Sequence, residues 1–391
     1  MKDLLREAKR ILDGRKKALR DLALRLHAHP ELALEEVRAC SWQVKLLRKW
    51  KFRVKSPYGG LKTAYRADCG RGRPVLAFMA EYDALPGLGH GCGHNLIAAA
   101  GAGAGYVLSR LLESRGVKGT VTVMGTPGEE GAGGKGIMIR NGALKGVDAA
   151  MMCHPNDRSE PDTGNSSVER FAVTFKGRAA HAADPEDGCN ALDAVNLLYS
   201  GVSAWRQQLP ESARVHGVIT EGGVKPNIIP ESAACRFYLR SPDDRFVRRM
   251  VTRFRDIVRG AALMTGTKPE IEPLGVPTRG RKPSSLLGEA WMENARLAGL
   301  KVVVPRRPVR GSSDFGNVSH VVPAIHPYFG ISARPIPGHS HPFTRAAGSK
   351  LGLENMFRMT VALALTGFRF MADEGFRKAV VAEFRRRKRT S

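Results

Sequence analysis

Val121-Thr-Val-Met-Gly125 leads into Thr126-Pro-Gly128 and then into Glu129-Glu130. The apolar run reads as a buried strand and the Pro-Gly pair as the turn that ends it. Two adjacent carboxylates at a strand end repel each other and cost stability unless a positive charge sits beside them. The same pattern occurs on either side. Arg73-Pro-Val-Leu-Ala-Phe-Met-Ala80 is an apolar strand that runs into Glu81-Tyr-Asp83, and Val147-Asp-Ala-Ala-Met-Met-Cys153 is another that ends in His154-Pro155. Residues 96–112, rich in Ala and Gly, predict a tightly packed helix between the first two strands. Residues 137–142 fit a short helix with a glycine stop between the last two. Alternation of strand and helix predicts an α/β domain with a mostly parallel sheet covered by helices. Ligand sites in such sheets lie beyond the carboxyl ends of the strands, where Glu81, Asp83, Glu129, Glu130 and His154 all fall.

Outward from this centre, residues 1–50 carry apolar residues at helical spacing. Near residue 166 the texture changes. Val168-Glu-Arg-Phe-Ala-Val-Thr-Phe-Lys176 alternates like a strand with one wet face. A helix over 190–208, strands over 215–220 and 233–239, a basic amphipathic helix over 245–263 and an edge strand over 269–273 follow. This βαββαβ order predicts an inserted α+β domain of ferredoxin-like form. The expected division is a catalytic domain over 1–165, an insert over 166–278, and the rest of the catalytic domain over 279–391. That last part holds a helix over 284–298, a strand over 301–304 and a long helix from about Ser349.

The length of 391 residues suits two domains. No apolar run approaches ~18 residues and the N-terminus is charged throughout, so neither a membrane span nor a signal peptide is expected, and a cytoplasmic location is. The six cysteines are scattered without a Cys-x-x-Cys pair, which argues against a disulfide framework. There are 62 Lys and Arg against 37 Asp and Glu, a net charge of +25. A nucleic-acid-binding protein without catalysis is one reading of that excess. However, the basic residues are spread along the chain, dense only at the tail 384–391, and aromatics are not interleaved there. A basic solvated surface with a preference for acidic substrates is the plainer account.

The chemistry concentrates in a few places. Cys92-Gly-His94 lies among Gly89, Gly91 and Gly93, where the backbone can turn sharply enough for two side chains to reach one centre. Thiolate, imidazole and carboxylate together suit zinc or a similar divalent ion, and Glu129, Glu130 and His154 complete such a set. Of the glutamate pair, one would bind metal and the other would take a proton from water, whose pKa a metal lowers towards ~7. A solvated acidic loop is the alternative, and it leaves the strand-end position unexplained. In His339-Ser-His341, either histidine could be a ligand or a surface residue. His181, in the insert, could donate to a developing oxyanion or cap a helix. Asn227, in Gly222-Gly-Val-Lys-Pro-Asn227, could hold a substrate carboxylate or carbonyl, and Arg240 is a further candidate, though exposed strand arginines are common. Asp314 could orient a ligand histidine or cap a turn.

Taken with His29-Pro-Glu-Leu32, Ala80-Glu-Tyr-Asp-Ala-Leu-Pro86, Gly91-Cys-Gly-His-Asn95, Pro127-Gly-Glu-Glu130 and Gly311-Ser-Ser-Asp314-Phe315, these motifs cover nearly the whole chain. It resembles the aminoacylase/carboxypeptidase family of dinuclear metallopeptidases, in its amidohydrolase subgroup. The longer runs 80–97 and 222–230, with Ser313-Asp-Phe-Gly-Asn-Val-Ser319 and His326-Pro-Tyr-Phe329, look like the Xaa-Arg (β-alanyl-lysine type) dipeptidase branch. The resemblance implies two divalent ions per subunit, zinc or manganese, held by Cys92, His94, Glu130, His154 and His339. His339 is preferred over His341 by its offset from Phe343. It implies Glu129 as general base, Asp83 behind the ligands, and His181 as an oxyanion donor supplied across a homodimer formed by the lid-like insert. Many members carry His-x-Asp where this chain has Glu81-Tyr-Asp83, and the subgroup replaces that lost ligand by the Cys-x-His turn. The implied activity is hydrolysis of an amide bond in a dipeptide, possibly one with a basic C-terminal residue, or in an N-acyl amino acid. An N-acyl amino acid or aminobenzoyl-glutamate amidohydrolase is the alternative substrate reading.

Overall fold

The apolar runs assemble into one sheet. In the computed structural model, which describes residues 2–304 and 311–390, six strands lie in the order Arg53–Lys55, Tyr65–Arg71, Gly119–Gly125, Val75–Ala80, Ala149–Met151, Ala324–Ile325. The last four are parallel to one another, and the first two add an antiparallel edge. Val75–Ala80 and Gly119–Gly125 are buried along their whole length, as strands covered on both faces must be. The sheet belongs to a unit formed by residues 2–164, 281–304 and 314–390.

The helix His94–Ser114 packs on this sheet. By length and composition it could cross a membrane, but nearly all of its residues are buried inside the protein. Its glycines set the approach. A Cβ at Gly101 would stand 2.9 Å from the Met79 carbonyl oxygen, and one at Gly105 only 2.2 Å from Val123 Cγ2. The backbone therefore lies against the strands at a distance no side chain would permit.

Residues 165–280, with 311–313, form the second unit. Its four antiparallel strands lie in the order Lys268–Pro273, Ser167–Lys176, Ser232–Ser241, Arg214–Glu221. Helices Ala191–Arg206 and Asp244–Thr265 pack on them around Phe171, Phe237 and Phe254. That order and its βαββαβ connectivity are the ferredoxin-like arrangement.

Two elements differ from expectation. Residues 301–304 form no strand. Val302 makes a single bridge to Ser159, and Val303 and Val304 are exposed, so no ladder rewards extension. The expected long C-terminal helix is two, Lys350–Ala372 and Glu374–Thr390. Asp373 leaves the helical region at φ −96°, ψ 102°, and its Oδ1 accepts from Phe376 N at 2.9 Å, so it caps a new helix.

Candidate metal centre

The strand ends deliver the side chains. Val75–Ala80 runs out into Glu81 and Asp83, Gly119–Gly125 into the turn before Glu129 and Glu130, and Ala149–Met151 continues to His154. Gly93 sits at the N-cap of helix His94–Ser114 with φ 74°, and a Cβ there would lie 2.7 Å from Pro155 Cγ. Glycine is required on both counts, and it places Cys92 and His94 on either side of a sharp turn.

Six of the singled-out residues come together within this one unit. Cys92 Sγ lies 3.4 Å from His154 Nε2 and 3.4 Å from His339 Nε2. His94 Nε2 is 4.0 Å from Glu130 Oε1, and His339 Nε2 is 3.8 Å from the same oxygen. Potential ligand atoms of His94, Glu129 and Glu130 lie within 4.8 Å of one another, as do those of Cys92, His94 and His154 and those of Cys92, Glu130 and His339. His339 adopts φ 53°, a left-handed conformation uncommon for a residue with a side chain. His341 is exposed at the start of helix His341–Ala347.

The histidine tautomers are set from behind. His94 Nδ1 lies 2.9 Å from the Asp83 carbonyl oxygen and 3.1 Å from its Oδ1, and His154 Nδ1 lies 2.6 Å from the Pro155 carbonyl oxygen. Carbonyl oxygens only accept, so each ring donates from Nδ1 and, when neutral, presents the Nε2 lone pair to the cluster. Asp83 Oδ2 also accepts from Glu130 N at 2.7 Å. This is the arrangement by which groups behind a metal ligand orient it.

The electrostatics ask for a cation. Burial, reinforced by Glu130, Glu81 and Asp314, pushes Glu129 well above the usual carboxylate range. Burial raises Glu130 as well, and it raises the Cys92 thiol despite the neighbouring His94. Burial and His94 lower His154 to about 4, so its ring is neutral. Meanwhile His94 Nε2 and Glu130 Oε1 are buried without any hydrogen-bond partner, a costly state unless something electropositive fills the gap. A soft thiol, imidazole lone pairs and carboxylates around such a gap fit a divalent metal.

Other candidates lie elsewhere. In the second unit, His181 pairs with Ile228 across a short ladder, and its Nδ1 accepts from Ala183 N at 3.0 Å. Asn227 stands beside it, its carbonyl accepting from Ala182 N at 3.1 Å. Arg240 reaches Ser312 Oγ at 3.5 Å and lies over the Tyr238 ring. Asp314 makes no hydrogen bond to a ligand histidine, and its side chain does not cap the helix Phe315–Ser319 that follows it; it serves the first turn of helix Gly134–Arg140 instead. It accepts from Lys135 Nζ at 2.6 Å and from Lys135 N at 2.8 Å.

Sequence reasoning passed over two residues. Lys135, in Gly133-Gly-Lys135-Gly, belongs to no motif, yet it is fully buried between Glu81 and Asp314. Its only signal was a charge among glycines that make room for it. His326 served only as a branch motif. It is buried against Phe315, with ring centroids 5.2 Å apart, and 5.6 Å from the His154 ring. Burial drives its pKa well down, so it is neutral.

A parallel-sheet unit whose strand ends gather a thiol, three imidazoles and a glutamate pair has the make-up of a metallohydrolase. A model of "Peptidase family M20/M25/M40" matches residues 77–364, and the chain belongs to that family. It is accordingly a metallopeptidase/amidohydrolase, carrying out metal-dependent amide hydrolysis. It is 37% identical to Xaa-Arg dipeptidase of Mus musculus over 98% of this chain and 92% of that one. It is 36% identical to one of the chains of p-aminobenzoyl-glutamate hydrolase from Escherichia coli (strain K12), over 77% of this chain and 65% of that one. The crystal structure of a dinuclear metal-binding M20 peptidase from Bacillus subtilis superposes with a TM-score of 0.67 at 22% identity, covering 91% of this chain and 99% of that one.

Proposed function

We propose that Cys92, His94, Glu130, His154 and His339 hold two divalent ions, zinc or manganese, and that the enzyme cleaves the amide bond of a dipeptide or N-acyl amino acid. The observation that carries this reading is the convergence of the buried, unpartnered His94 Nε2 and Glu130 Oε1 beside the Cys92 thiol. Charge supports the number of ions. Glu81, Asp83, Glu129, Glu130 and Asp314 bring five carboxyl groups to the region against one ammonium, Lys135. When all are ionised, four negative charges remain, and the Cys92 thiolate that a metal requires makes five, most of which two divalent ions offset.

Bound ions supply Lewis acidity and make water acidic enough to be deprotonated near neutral pH. Glu129 is the base that takes that proton and later returns it to the leaving amine. Its environment already favours holding a proton. His181 is assigned as the oxyanion donor. Its Nδ1 accepts from Ala183 N, which leaves the ring proton on Nε2. In this reading a homodimer formed through residues 165–280 supplies His181. Asn227 and Arg240 bind the leaving amino acid. Burial and Arg170 hold the Arg240 pKa below its ordinary value, and such a cation gains from an anionic partner.

The similarity to Xaa-Arg dipeptidase over nearly the whole chain supports a dipeptide with a basic C-terminal residue. The net charge of +25 favours the second reading, an acyl-glutamate type of substrate, for which the aminobenzoyl-glutamate relative is the parallel. The test is amine release from β-alanyl-lysine, Xaa-Arg, acyl-glutamate and acyl-aromatic substrates. Protein would be stripped with chelator and restored with zinc, manganese or cobalt. Metal-restored cleavage of one group is expected. Protein that binds metal and cleaves none of them retires both substrate readings.

A further inference from the structure

We propose that Glu81 is an additional ligand of the metal centre, through Oε1, and that Lys135 and Asp314 position it. The inference rests on the reading of the cluster as a metal site, and extends its ligand set. Glu81 follows directly on the strand Val75–Ala80 and its side chain is fully buried. Its two oxygens have different surroundings. Oε2 accepts from Lys135 Nζ at 2.5 Å, and the same ammonium donates to Asp314 Oδ1 at 2.6 Å. Asp314 Oδ2 accepts from Lys135 N at 2.8 Å, which fixes the lysine at both ends. Oε1, by contrast, has no hydrogen-bond partner.

Oε1 faces His94 Nε2 at 3.4 Å. The approach is close enough for a hydrogen bond, yet the two atoms make none, and each is left unpartnered. With Nδ1 turned to Asp83, Nε2 is the ring atom that His94 aims at Glu81 Oε1. Glu130 Oε1, also unpartnered, lies 4.0 Å from the same nitrogen. Three buried polar atoms thus turn towards one another without a hydrogen bond among them. A divalent ion among them removes all three penalties. The spacing is also appropriate. Nitrogen and oxygen ligands each ~2.0–2.1 Å from a tetrahedral ion stand roughly 3.3–3.4 Å apart.

Lys135 gives this arrangement its direction. By occupying Oε2, it leaves Oε1 as the only free oxygen and holds the carboxylate ionised. A fully buried ammonium between two fully buried carboxylates costs more to desolvate than a neutral packing would. Fixing a ligand in place is a function that justifies it.

The test compares wild type, Glu81→Gln, Glu81→Asp and Lys135→Met by metal content after dialysis, by chelator competition, and by the visible spectrum of the cobalt-loaded protein. Glu81→Asp keeps a charge opposite Lys135, so it remains informative if the Gln variant does not fold. Both Glu81 variants are expected to bind one of the two ions at least about tenfold more weakly, with a changed cobalt d–d band. Lys135→Met is expected to weaken the same ion with a smaller spectral change. Folded Glu81 variants that match wild type in affinity within about twofold, and in spectrum, overturn the assignment. Wild-type protein that binds no divalent ion overturns the underlying metal reading instead, so the two failures are distinguishable.

Discussion

Glu129 and Glu36 are both carboxyl groups raised by burial, and they predict different things. Glu129 stands in the cluster, so Glu129→Ala should lower kcat on the order of 10²–10⁴-fold. Metal content should be retained, because the proposed ligands remain. A variant with wild-type turnover, assayed with metal content confirmed, would remove Glu129 from the mechanism. Glu36 acts on stability. It is fully buried, with Oε1 accepting from Gly128 N at 2.7 Å and Oε2 from Thr63 Oγ1 at 3.0 Å. Burial, then the Asp83 charge, raises its pKa to about 7. Its folded-state value lies above its unfolded one, so the fold prefers the protonated acid. The contribution is complete below about pH 4.5 and is lost as pH rises through about 7, a cost on the order of 3 kcal/mol once ionised. Glu36→Gln mimics the protonated form. Its melting temperature should exceed wild type at pH 8 and converge with it at pH 5; parallel curves across that range would refute the account. At this scale the sequence was legible where a motif fixes a residue's type, as with Cys92, His94 and Glu129-Glu130. It was silent on Glu36 and Lys135. Their burial depends on which distant segments close over them, and no local pattern encodes that.

Among the elements, those defined by periodicity were legible and those defined by a partner were not. The runs of apolar residues gave Val75–Ala80, Gly119–Gly125 and the helix His94–Ser114 to within a few residues. The two-residue strands Ala180–His181 and Ile228–Ile229 exist only because they pair with each other, and nothing in either segment announces it. Tyr65–Arg71 was likewise passed over, because Arg66, Asp68 and Arg71 break its apolar pattern. The glycines of helix His94–Ser114 give the prediction at this scale. A Cβ at Gly105 would stand 2.2 Å from Val123 Cγ2, and valine has little rotamer freedom with which to retreat. Alanine gains about 1 kcal/mol of helix propensity over glycine. The overlap, however, forces the helix off the sheet or distorts the strand, at about 1–3 kcal/mol or more. Gly105→Ala should therefore destabilise the protein in urea unfolding. Val123→Ala in the same background should recover part of the loss, since it removes the atom in the way. A Gly105→Ala protein as stable as wild type would show that the interface has slack the structure does not suggest.

Over the whole molecule, a net charge of +25 surrounds a buried group of acidic side chains. The two act at different ranges. The carboxylates of the cluster act locally and, in the proposed function, are balanced by bound ions. The surface excess sets the long-range field that a substrate meets first. Such a field speeds the arrival of anions, slows that of cations, and fades as salt shortens the screening length from roughly 30 Å at 0.01 M to about 8 Å at 0.15 M. The two substrate readings therefore predict opposite salt dependence. With an acyl-glutamate, kcat/KM should fall several-fold over that range while kcat stays constant. With β-alanyl-lysine or an Xaa-Arg dipeptide, kcat/KM should rise or hold steady. The measurement is kcat/KM against ionic strength for both substrates on the same metal-loaded preparation. A common slope for both charges would mean that the basic surface plays no part in substrate capture. The excess would then need another explanation, such as retention on polyanions, which salt also weakens but which leaves kcat/KM for small substrates untouched.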